Sequence, residues 1–328
     1  MSSKKTIYYI TRKQLPHKNS IEELFLAIST NIKKTLPTLW RALPNHGASP
    51  ITILKNICSG SKDPLGVYHI TGDLHYMALK YRRQSILTIH DVHSALKGSF
   101  IKRAYVWLFW FWLPALFTKK ITVISEFTKK ELIAVIPIFK DKITVIPNPV
   151  HPKLKPVAKK FNKKPTILLM GTKPNKNLQR SLRALKDIPC KVVVVGPLSE
   201  VQQALIDSLD ISYTHKYSLS FEKVIDCYKQ ADIVCFPSLY EGFGMPIIEA
   251  QAIGRVVLSS NIGATKEVAG LGAHLVDPYS EEDIRAGILK IISDTFYRTS
   301  LIEKGFANAS KYTLDTTANS YLKLYDAF

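Results

Sequence analysis

Two glutamates eight positions apart, Glu241 and Glu249, are the residues whose spacing points most directly to chemistry. Between them stand Gly242, Gly244 and Pro246. Glycine leaves backbone N–H groups accessible and adopts dihedral angles that other residues avoid. Proline suits the first turn of a helix, because its missing N–H has no helical partner there. The pattern predicts a loop and a helix start that bind an anionic or hydroxyl-rich ligand, with each carboxylate accepting from hydroxyls such as those of a ribose or a second sugar.

A second candidate loop follows residues 166–170, an apolar segment with the composition of a buried strand. The loop contains Gly171, Lys173, Lys176 and Asn177, and a helical pattern begins directly after it. A strand, a glycine turn with cations and a helix start form a typical phosphate-binding arrangement. We therefore expect this loop to bind the anionic part of the ligand, although solvated lysines on a plain surface loop are the alternative.

A third candidate is the pair His90-Asp91, which closes a predicted strand in the first half of the chain. The carboxyl ends of parallel strands face the ligand in doubly wound sheets, so His90 is predicted to point into a ligand-binding cleft, with a structural histidine as the alternative. The sequence has no Asp-x-Asp motif, and its four cysteines form no Cys-x-x-Cys pair. We therefore expect neither a metal ion nor another cofactor.

The elements that must position these residues alternate between strands and helices. A length of 328 residues suits two α/β domains. Strands are predicted at residues 6–10, 67–71, 85–90, 121–125 and 142–146 in the first half, and at residues 166–170, 191–196, 232–236 and 256–259 in the second half. The alternation predicts two doubly wound parallel sheets, joined by a basic linker over residues 151–164.

Residues 237–250, PSLYEGFGMPIIEA, resemble the Glu-x7-Glu motif of the retaining glycosyltransferases of family 4, also called glycosyl transferases group 1. The resemblance implies the α/β fold named GT-B, in which two doubly wound Rossmann-like domains face each other across a cleft. It implies an acceptor-binding domain at residues 1–157, a donor-binding domain at residues 158–311, and a C-terminal helix at residues 312–328 that crosses back to the first domain.

The activity implied by this resemblance is transfer of a hexose from a nucleotide diphosphate sugar to an acceptor hydroxyl, with retention and without a metal ion. His90, Glu241 and Lys176 would be the catalytic residues: Glu241 would contact the hexose and Lys176 the diphosphate, and Glu249 would hold the ribose. No general base is assigned, because the donor phosphate is expected to take the acceptor proton. The residues expected to bind the donor are Gly171, Thr172, Lys173, Lys176, Asn177, Ser238, Glu241, Gly242, Phe243, Gly244, Met245 and Glu249.

The sequence departs from the family pattern in two places. Thr172 stands where the family commonly has an arginine, and Lys173 is the residue that could replace its charge. Residues 16–20, PHKNS, stand where many members have a Gly-Gly loop that lets the backbone approach the donor phosphates. The side chains of this segment are therefore expected either to point away or to make the contact themselves.

Positive charge is concentrated in the first half of the chain. Residues 1–160 contain 26 of the lysines and arginines and 8 of the acidic residues, whereas residues 161–328 contain 19 and 18. Such a field attracts anionic partners. Lipid headgroups, a lipid-linked diphosphate and a nucleic acid are the possible partners on charge alone.

An aromatic run bounded by basic residues occupies residues 97–120, and its uncharged centre, residues 104–117, is 14 residues long. A membrane-spanning helix needs about 20 residues, whereas tryptophans between basic ends are typical of a helix at a membrane interface. A helix buried on the first sheet is the alternative. We expect this run and the basic N-terminal domain to contact an anionic membrane, with the protein cytoplasmic and on the inner face of that membrane. The preferred acceptor is a lipid-linked or lipopolysaccharide-type glycan in cell-surface polysaccharide synthesis.

Two other functions remain open at this point. A nucleotide-sugar epimerase with the GT-B fold would need carboxylates in the first domain, which is poor in them. A basic nucleic-acid-binding protein would explain the charge, but the aromatic residues cluster in one apolar run instead of alternating with basic ones. No nucleic-acid partner is therefore expected.

Overall fold

The chain folds into two compact units. The computed structural model describes residues 5–12, 20–45, 47–92 and 98–328. One unit consists of Met1–Pro149 with Leu314–Phe328, and the other of Val150–Thr313. Each unit contains a six-stranded sheet whose neighbouring strands all pair in parallel. The predicted α/β class with two doubly wound sheets is confirmed.

The sheet of the first unit is buried at its centre. Its strands are β1 (Ile7–Thr11), β2 (Thr38–Ala42), β3 (Val67–Ile70), β4 (Ser85–Ile89), β5 (Lys120–Val123) and β6 (Ile143–Val145), in the order β2-β1-β3-β4-β5-β6. Every residue of β3 and of β4 is buried. Such continuous burial is expected for parallel strands covered on both faces. The predicted loop of residues 16–20 lies outside the described residues, apart from the helical Ser20.

The helices of the first unit cover this sheet. They are α1 (Ser20–Ile32), α2 (Pro50–Cys58), α3 (Ala78–Tyr81), α4 (Phe100–Val106), α5 (Leu113–Phe117), α6 (Glu126–Val135) and, from the end of the chain, α14 (Leu314–Asp326). Short 3-10 turns occur at His75–Met77, Arg82–Gln84 and Pro137–Lys142. No helix among the described residues combines the length and the apolar character that crossing a membrane requires.

The aromatic run of residues 97–120 is divided between α4, a π-helical segment at Trp107–Trp112, and α5. Phe111 is fully buried, and Trp110 and Trp112 pack against the core of the first unit. Phe100, at the start of α4, is 82% exposed. Most of the centre of the run therefore covers the first sheet, and its N-terminal end projects into solvent.

Helix α14 is attached to the first sheet by buried polar groups. The ring of His69 on β3 lies between the Tyr325 hydroxyl, 2.6 Å from Nδ1, and Thr88 Oγ1, 2.7 Å from Nε2. The hydroxyls of Tyr9 and Tyr325 are 3.1 Å apart. Burial lowers the pKa of His69 to about 3, so the ring is neutral and uses one nitrogen as donor and the other as acceptor.

The second unit is continuous in sequence. Its strands are β7 (Thr166–Met170), β8 (Lys191–Val195), β9 (Tyr213–Lys216), β10 (Ile233–Phe236), β11 (Val256–Ser260) and β12 (Ala273–Val276), in the order β12-β11-β10-β7-β8-β9. Its helices are α7 (Leu178–Ala184), α8 (Glu200–Ser208), α9 (Phe221–Gln230), α10 (Met245–Ile253), α11 (Gly263–Ala269), α12 (Glu281–Ser293) and α13 (Thr295–Ala309), with a 3-10 turn at Pro174–Lys176. The two central strands, β10 and β7, carry the two candidate loops at their carboxyl ends.

The boundary between the units lies at Pro149, not at residue 157. The Val150 N–H donates to the Tyr312 carbonyl at 2.7 Å, and the Val157 N–H donates to the Ile253 carbonyl at 3.1 Å. These backbone hydrogen bonds attach residues 150–157 to the second unit. Most of the segment predicted to be a linker is therefore part of a folded domain.

Candidate functional site

Glu241 lies in the loop between β10 and α10, and its carboxylate is held in one orientation. Its Oε1 atom accepts hydrogen bonds from Lys176 Nζ at 2.6 Å, Ser238 Oγ at 2.7 Å and Asn175 Nδ2 at 3.3 Å. The other oxygen, Oε2, has no hydrogen-bond partner among the residues that the structure describes. With one oxygen saturated and the side chain 13% exposed, the group can accept a further hydrogen bond in a fixed direction.

Lys176 reaches Glu241 by passing over Gly171. Gly171 follows β7, has a φ of +88°, and a Cβ built there would lie 2.9 Å from Lys176 Cγ. The Lys176 ammonium also lies 4.8 Å from the centre of the Phe236 ring, which provides a cation–π contact. The side chain is 20% exposed. The lysine is thus positioned by a glycine, an aromatic ring and a carboxylate.

The two asparagines of the β7 loop have different environments. Asn177 is buried and has a left-handed φ of 59°, and its amide donates to the carbonyls of Pro237 at 3.0 Å and Pro278 at 2.6 Å. Its side chain therefore joins three loops, and the predicted contact of Asn177 with a ligand stays a prediction. Asn175, which the sequence analysis did not select, donates to Glu241 instead.

Thr172 also faces inward. It is buried, its hydroxyl donates to the Pro197 carbonyl, and its own carbonyl accepts from the Gln202 side chain at 2.7 Å. A residue held in this way cannot act in place of an arginine. Lys173 is exposed and borders a cavity of about 340 Å³ that is also lined by Arg180 and Arg183.

Glu249 is positioned on α10 and is paired with a residue of α9. The hydroxyl of Tyr228, a fully buried side chain, donates to Glu249 Oε2 at 2.7 Å. Burial raises the pKa of the Glu249 carboxyl, and the hydrogen bond from Tyr228 opposes that rise. Tyr228 was missed by the sequence analysis, because nothing in its own segment distinguishes it from a core tyrosine.

The loop that joins the two glutamates is anchored by Phe243. This side chain is 3% exposed and packs edge-on against Tyr312, with ring centres 5.6 Å apart. Gly244 has a φ of +103° and is the N-cap of α10, which begins at Met245. Phe243 therefore fixes the loop from inside, while the backbone N–H groups of Gly244 and Met245 are what the helix start can offer to a ligand. The first N–H groups of a helix have no partners within it.

His90 lies in the first unit, directly after β4. Its Nε2 atom is buried and has no hydrogen-bond partner among the residues that the structure describes. Burial lowers the pKa of His90 to about 4, and the carboxylates of Asp73, Asp91 and Glu22 oppose this shift. An unsatisfied buried nitrogen is uncommon in native proteins. Asp73, Asp91 and Glu22 are thus the carboxylates whose charge is felt at His90.

Metal ligands do not converge in the parts of the chain that the structure describes. Within those ranges, no group of three or more His, Cys, Asp or Glu side chains could hold a metal ion.

Comparison with known sequences identifies two matching families that together span most of the chain. The family described as Glycosyl transferases group 1 matches residues 150–307, and Glycosyltransferase Family 4 matches residues 34–154. The O-antigen chain mannosyltransferase B of Escherichia coli is 26% identical over 230 residues, which is 63% of this chain and 60% of that protein. The O-antigen chain mannosyltransferase RfbU of Salmonella typhimurium is 28% identical over 217 residues, 64% of this chain and 61% of that protein. The match thus spans less than two thirds of either relative.

A solved structure supports the same assignment at the level of the fold. HepE of Anabaena, solved in complex with UDP and glucose, superimposes with a TM-score of 0.77 at 14% identity, covering 98% of this chain and 100% of that one. The fold is therefore that of the GT-B glycosyltransferases, as predicted.

Proposed function

Because the chain belongs to the group 1 glycosyltransferases of family 4, we propose that it transfers a hexose from a nucleotide diphosphate sugar to a hydroxyl of a glycan acceptor. The observation that carries this proposal is the geometry of Glu241. Three donors saturate one carboxylate oxygen and leave the other able to accept from a sugar hydroxyl. A fixed acceptor of this kind suits a ligand with hydroxyls in a defined arrangement.

Lys176 stabilises the charge of the leaving nucleoside diphosphate in this proposal. The Glu241 that its ammonium contacts lies on the loop entering α10. A cation and helix N–H groups together favour a developing anion without rearranging during the reaction. We propose that this arrangement acts without a metal ion.

Glu249 binds the two hydroxyls of the nucleotide ribose. The Tyr228 hydroxyl occupies one of its oxygens, so the carboxylate cannot rotate freely. Its ionised form is the better hydrogen-bond acceptor, and the hydrogen bond from Tyr228 favours that form despite burial. In this proposal Glu249 contacts the ribose, and Glu241 contacts the hexose.

His90 contributes a neutral imidazole at the transfer site. With a pKa of about 4, the ring is uncharged at neutral pH. Its Nε2, which has no partner among the described residues, can bond to the donor sugar in this proposal. In the mechanism that we propose, the bond from the anomeric carbon to the diphosphate breaks, the acceptor oxygen attacks from the same face, and a diphosphate oxygen takes its proton. The anomeric configuration is then retained.

Mannose is the sugar to test first, and a surface polysaccharide or lipopolysaccharide precursor is the acceptor, because the matched relatives are named as O-antigen chain mannosyltransferases. A thermal-shift screen with GDP-mannose, UDP-glucose and other UDP- and ADP-sugars selects the donor, since a ligand that binds only the folded state raises the melting temperature. If none of them stabilises the protein, the donor assignment is wrong.

A nucleotide-sugar epimerase is the second candidate, because the charges of three carboxylates, Asp73, Asp91 and Glu22, act on the pKa of His90. The two activities separate in one assay. Incubation with donor and a mixed glycan-lipid extract releases free nucleoside diphosphate only if a transferase is at work. Conversion of the donor to an isomer without acceptor supports the epimerase, and NMR of the product reports the anomeric configuration.

A further inference from the structure

Helix α2 presents an apolar stripe to solvent, which is the reverse of what a surface helix normally does. Its inner face is formed by Ile53, 5% exposed, and Asn56, whose amide lies 2.9 Å from the Tyr76 hydroxyl. On its outer face Ile51 is 69% exposed and Leu54 is 62% exposed. Two large aliphatic side chains one turn apart are therefore left uncovered.

Helix α4 has the same property at its N-terminal end. Phe100 is 82% exposed and Ile101 is 81% exposed, and both precede the exposed pair Lys102 and Arg103. The Tyr105 hydroxyl donates to the carbonyl of Ala48 at 3.1 Å. Since Ala48 immediately precedes the N-cap of α2, this hydrogen bond places the last turn of α4 next to the first turn of α2.

The charges around these side chains have one sign. Lys55 on the outer face of α2 and the pair Lys102 and Arg103 on α4 are exposed. None of the three forms an ion pair within the described ranges. Exposed apolar side chains beside uncompensated cations match the boundary between acyl chains and anionic headgroups. They do not match the interior of a protein–protein interface, where lysine is depleted.

We propose that the outer faces of α2 and α4 form a surface that docks onto an anionic lipid bilayer, with Ile51, Leu54, Phe100 and Ile101 entering the headgroup region. The cations Lys55, Lys102 and Arg103 contact lipid phosphates. This surface replaces the centre of the aromatic run as the membrane contact, because Phe111 is buried and Trp110 and Trp112 pack in the core. Docking does not depend on the donor chemistry, so its test is independent of the proposed transfer reaction.

The experiment is flotation of the whole chain with vesicles of phosphatidylglycerol and phosphatidylcholine, compared with phosphatidylcholine alone. We expect flotation only with the anionic vesicles, and a decrease when salt shortens the Debye length from about 10 Å at 0.1 M to about 3 Å at 1 M. Each cation near an anionic surface contributes about fivefold in partitioning. The double variant Lys102→Gln/Arg103→Gln should therefore lose roughly 30-fold or more in binding.

The second unit supplies matched controls. Phe296 and Leu271 are 88% and 79% exposed, so Phe296→Ser/Leu271→Ser matches Phe100→Ser/Ile101→Ser in exposure and chemistry. Lys163 and Lys164 are an exposed adjacent pair that matches Lys102 and Arg103. We expect flotation to be lost in Phe100→Ser/Ile101→Ser and retained in Phe296→Ser/Leu271→Ser and in Lys163→Gln/Lys164→Gln. The proposal is overturned if the α4 variants and the second-unit controls lose flotation equally, or if no variant loses flotation.

Cys58 gives a measurement that needs no variant of the surface. It lies at the end of α2 and is exposed, whereas Cys190, Cys227 and Cys235 are buried. A polarity-sensitive dye attached to Cys58 should shift its emission to shorter wavelengths with anionic vesicles. No shift, or a shift caused by raising the protein concentration without lipid, contradicts bilayer docking; the latter result indicates that a second copy of the chain covers this face.

Discussion

Lys176 Nζ and Glu241 Oε1 are 2.6 Å apart, although the two residues lie 65 positions apart on different loops. The ion pair joins the end of β7 to the segment that enters α10. It therefore couples the group that we assign to the diphosphate with the group that we assign to the hexose. Because of the ion pair, each of the two side chains fixes the position of the other before a ligand binds.

Replacing Glu241 with glutamine tests this coupling. The variant keeps the shape of the side chain but loses the charge that holds Lys176, and hydrogen bonds to charged groups contribute about 1.5–3 kcal/mol each. We expect kcat/KM for donor to fall roughly 10- to 100-fold, as that energy implies. Asn175→Ala removes only the weakest of the three donors to Glu241 and should cost less. Equal activity of Glu241→Gln and the parent protein contradicts the role of Glu241.

Comparison of Gly171→Ala with Gly60→Ala separates the effect of backbone strain from the effect of displacing Lys176. The left-handed conformation costs a residue with a Cβ about 1–2 kcal/mol, and at Gly171 that Cβ would also lie 2.9 Å from Lys176 Cγ. Gly60 has a φ of +71° with nothing within 4 Å of its Cβ position. Gly60→Ala should therefore lower Tm by a similar few degrees but leave donor affinity intact, whereas Gly171→Ala should lower both. Thermal unfolding and calorimetric titration of donor measure the two effects.

The pH dependence of donor binding tests the pairing of Tyr228 with Glu249. The hydrogen bond from Tyr228 lowers the pKa of a carboxyl that burial raises, so Tyr228→Phe should raise that pKa further. Donor affinity should decline as the pH falls through the Glu249 pKa, and this decline should begin at a higher pH in the variant. Titration of donor across the weakly acidic range measures it. Superimposable profiles of parent and variant would show that the pair does not control binding.

His69 predicts acid destabilisation of the first unit. Its pKa is about 3 in the folded chain against an ordinary value of 6.5, so between these values the unfolded chain binds a proton that the folded chain does not. The corresponding stability is fully present above pH 6.5 and is lost as the pH falls toward 3, at up to about 1.4 kcal/mol per pH unit. Urea unfolding at several pH values should give a shallower dependence for His69→Gln. If the pH dependence of the unfolding free energy is the same in His69→Gln and the parent protein, the low pKa of His69 does not cause the acid destabilisation.

Chelation tests the proposal that no metal takes part. Nucleotide release should be unchanged after dialysis against EDTA and on adding magnesium, because Lys176 and the start of α10 supply the positive potential. Activity that disappears in chelator and returns with magnesium would show that a divalent ion completes the site.

Much of the fold could be predicted from the sequence because central parallel strands are continuously apolar. Every strand that was missed, β2, β9 and β12, lies at the edge of a sheet. An edge strand is covered incompletely, so its sequence mixes polar and apolar residues: β9 reads YTHK, with no residue fully buried. Periodicity alone does not distinguish such a segment from a loop.

The candidate site was predictable where the motif is local and not where partners come from elsewhere in the chain. Glu241, Gly244 and Glu249 share one loop and helix, and their spacing was visible. Asn175 and Tyr228 act on these glutamates from 66 and 21 positions away, a distance at which a single sequence carries no signal. Thr172 was predicted to bind the donor from its position in the loop, but its hydroxyl donates a hydrogen bond to the carbonyl of Pro197.

The attachment of α14 to His69 has a consequence for the order in which the protein is made. Val150–Thr313 are translated before Leu314, so the first unit lacks the helix that satisfies its buried imidazole until Leu314–Asp326 have been made. The first unit therefore cannot complete the hydrogen bonds between His69 and this helix before the whole second unit has been translated.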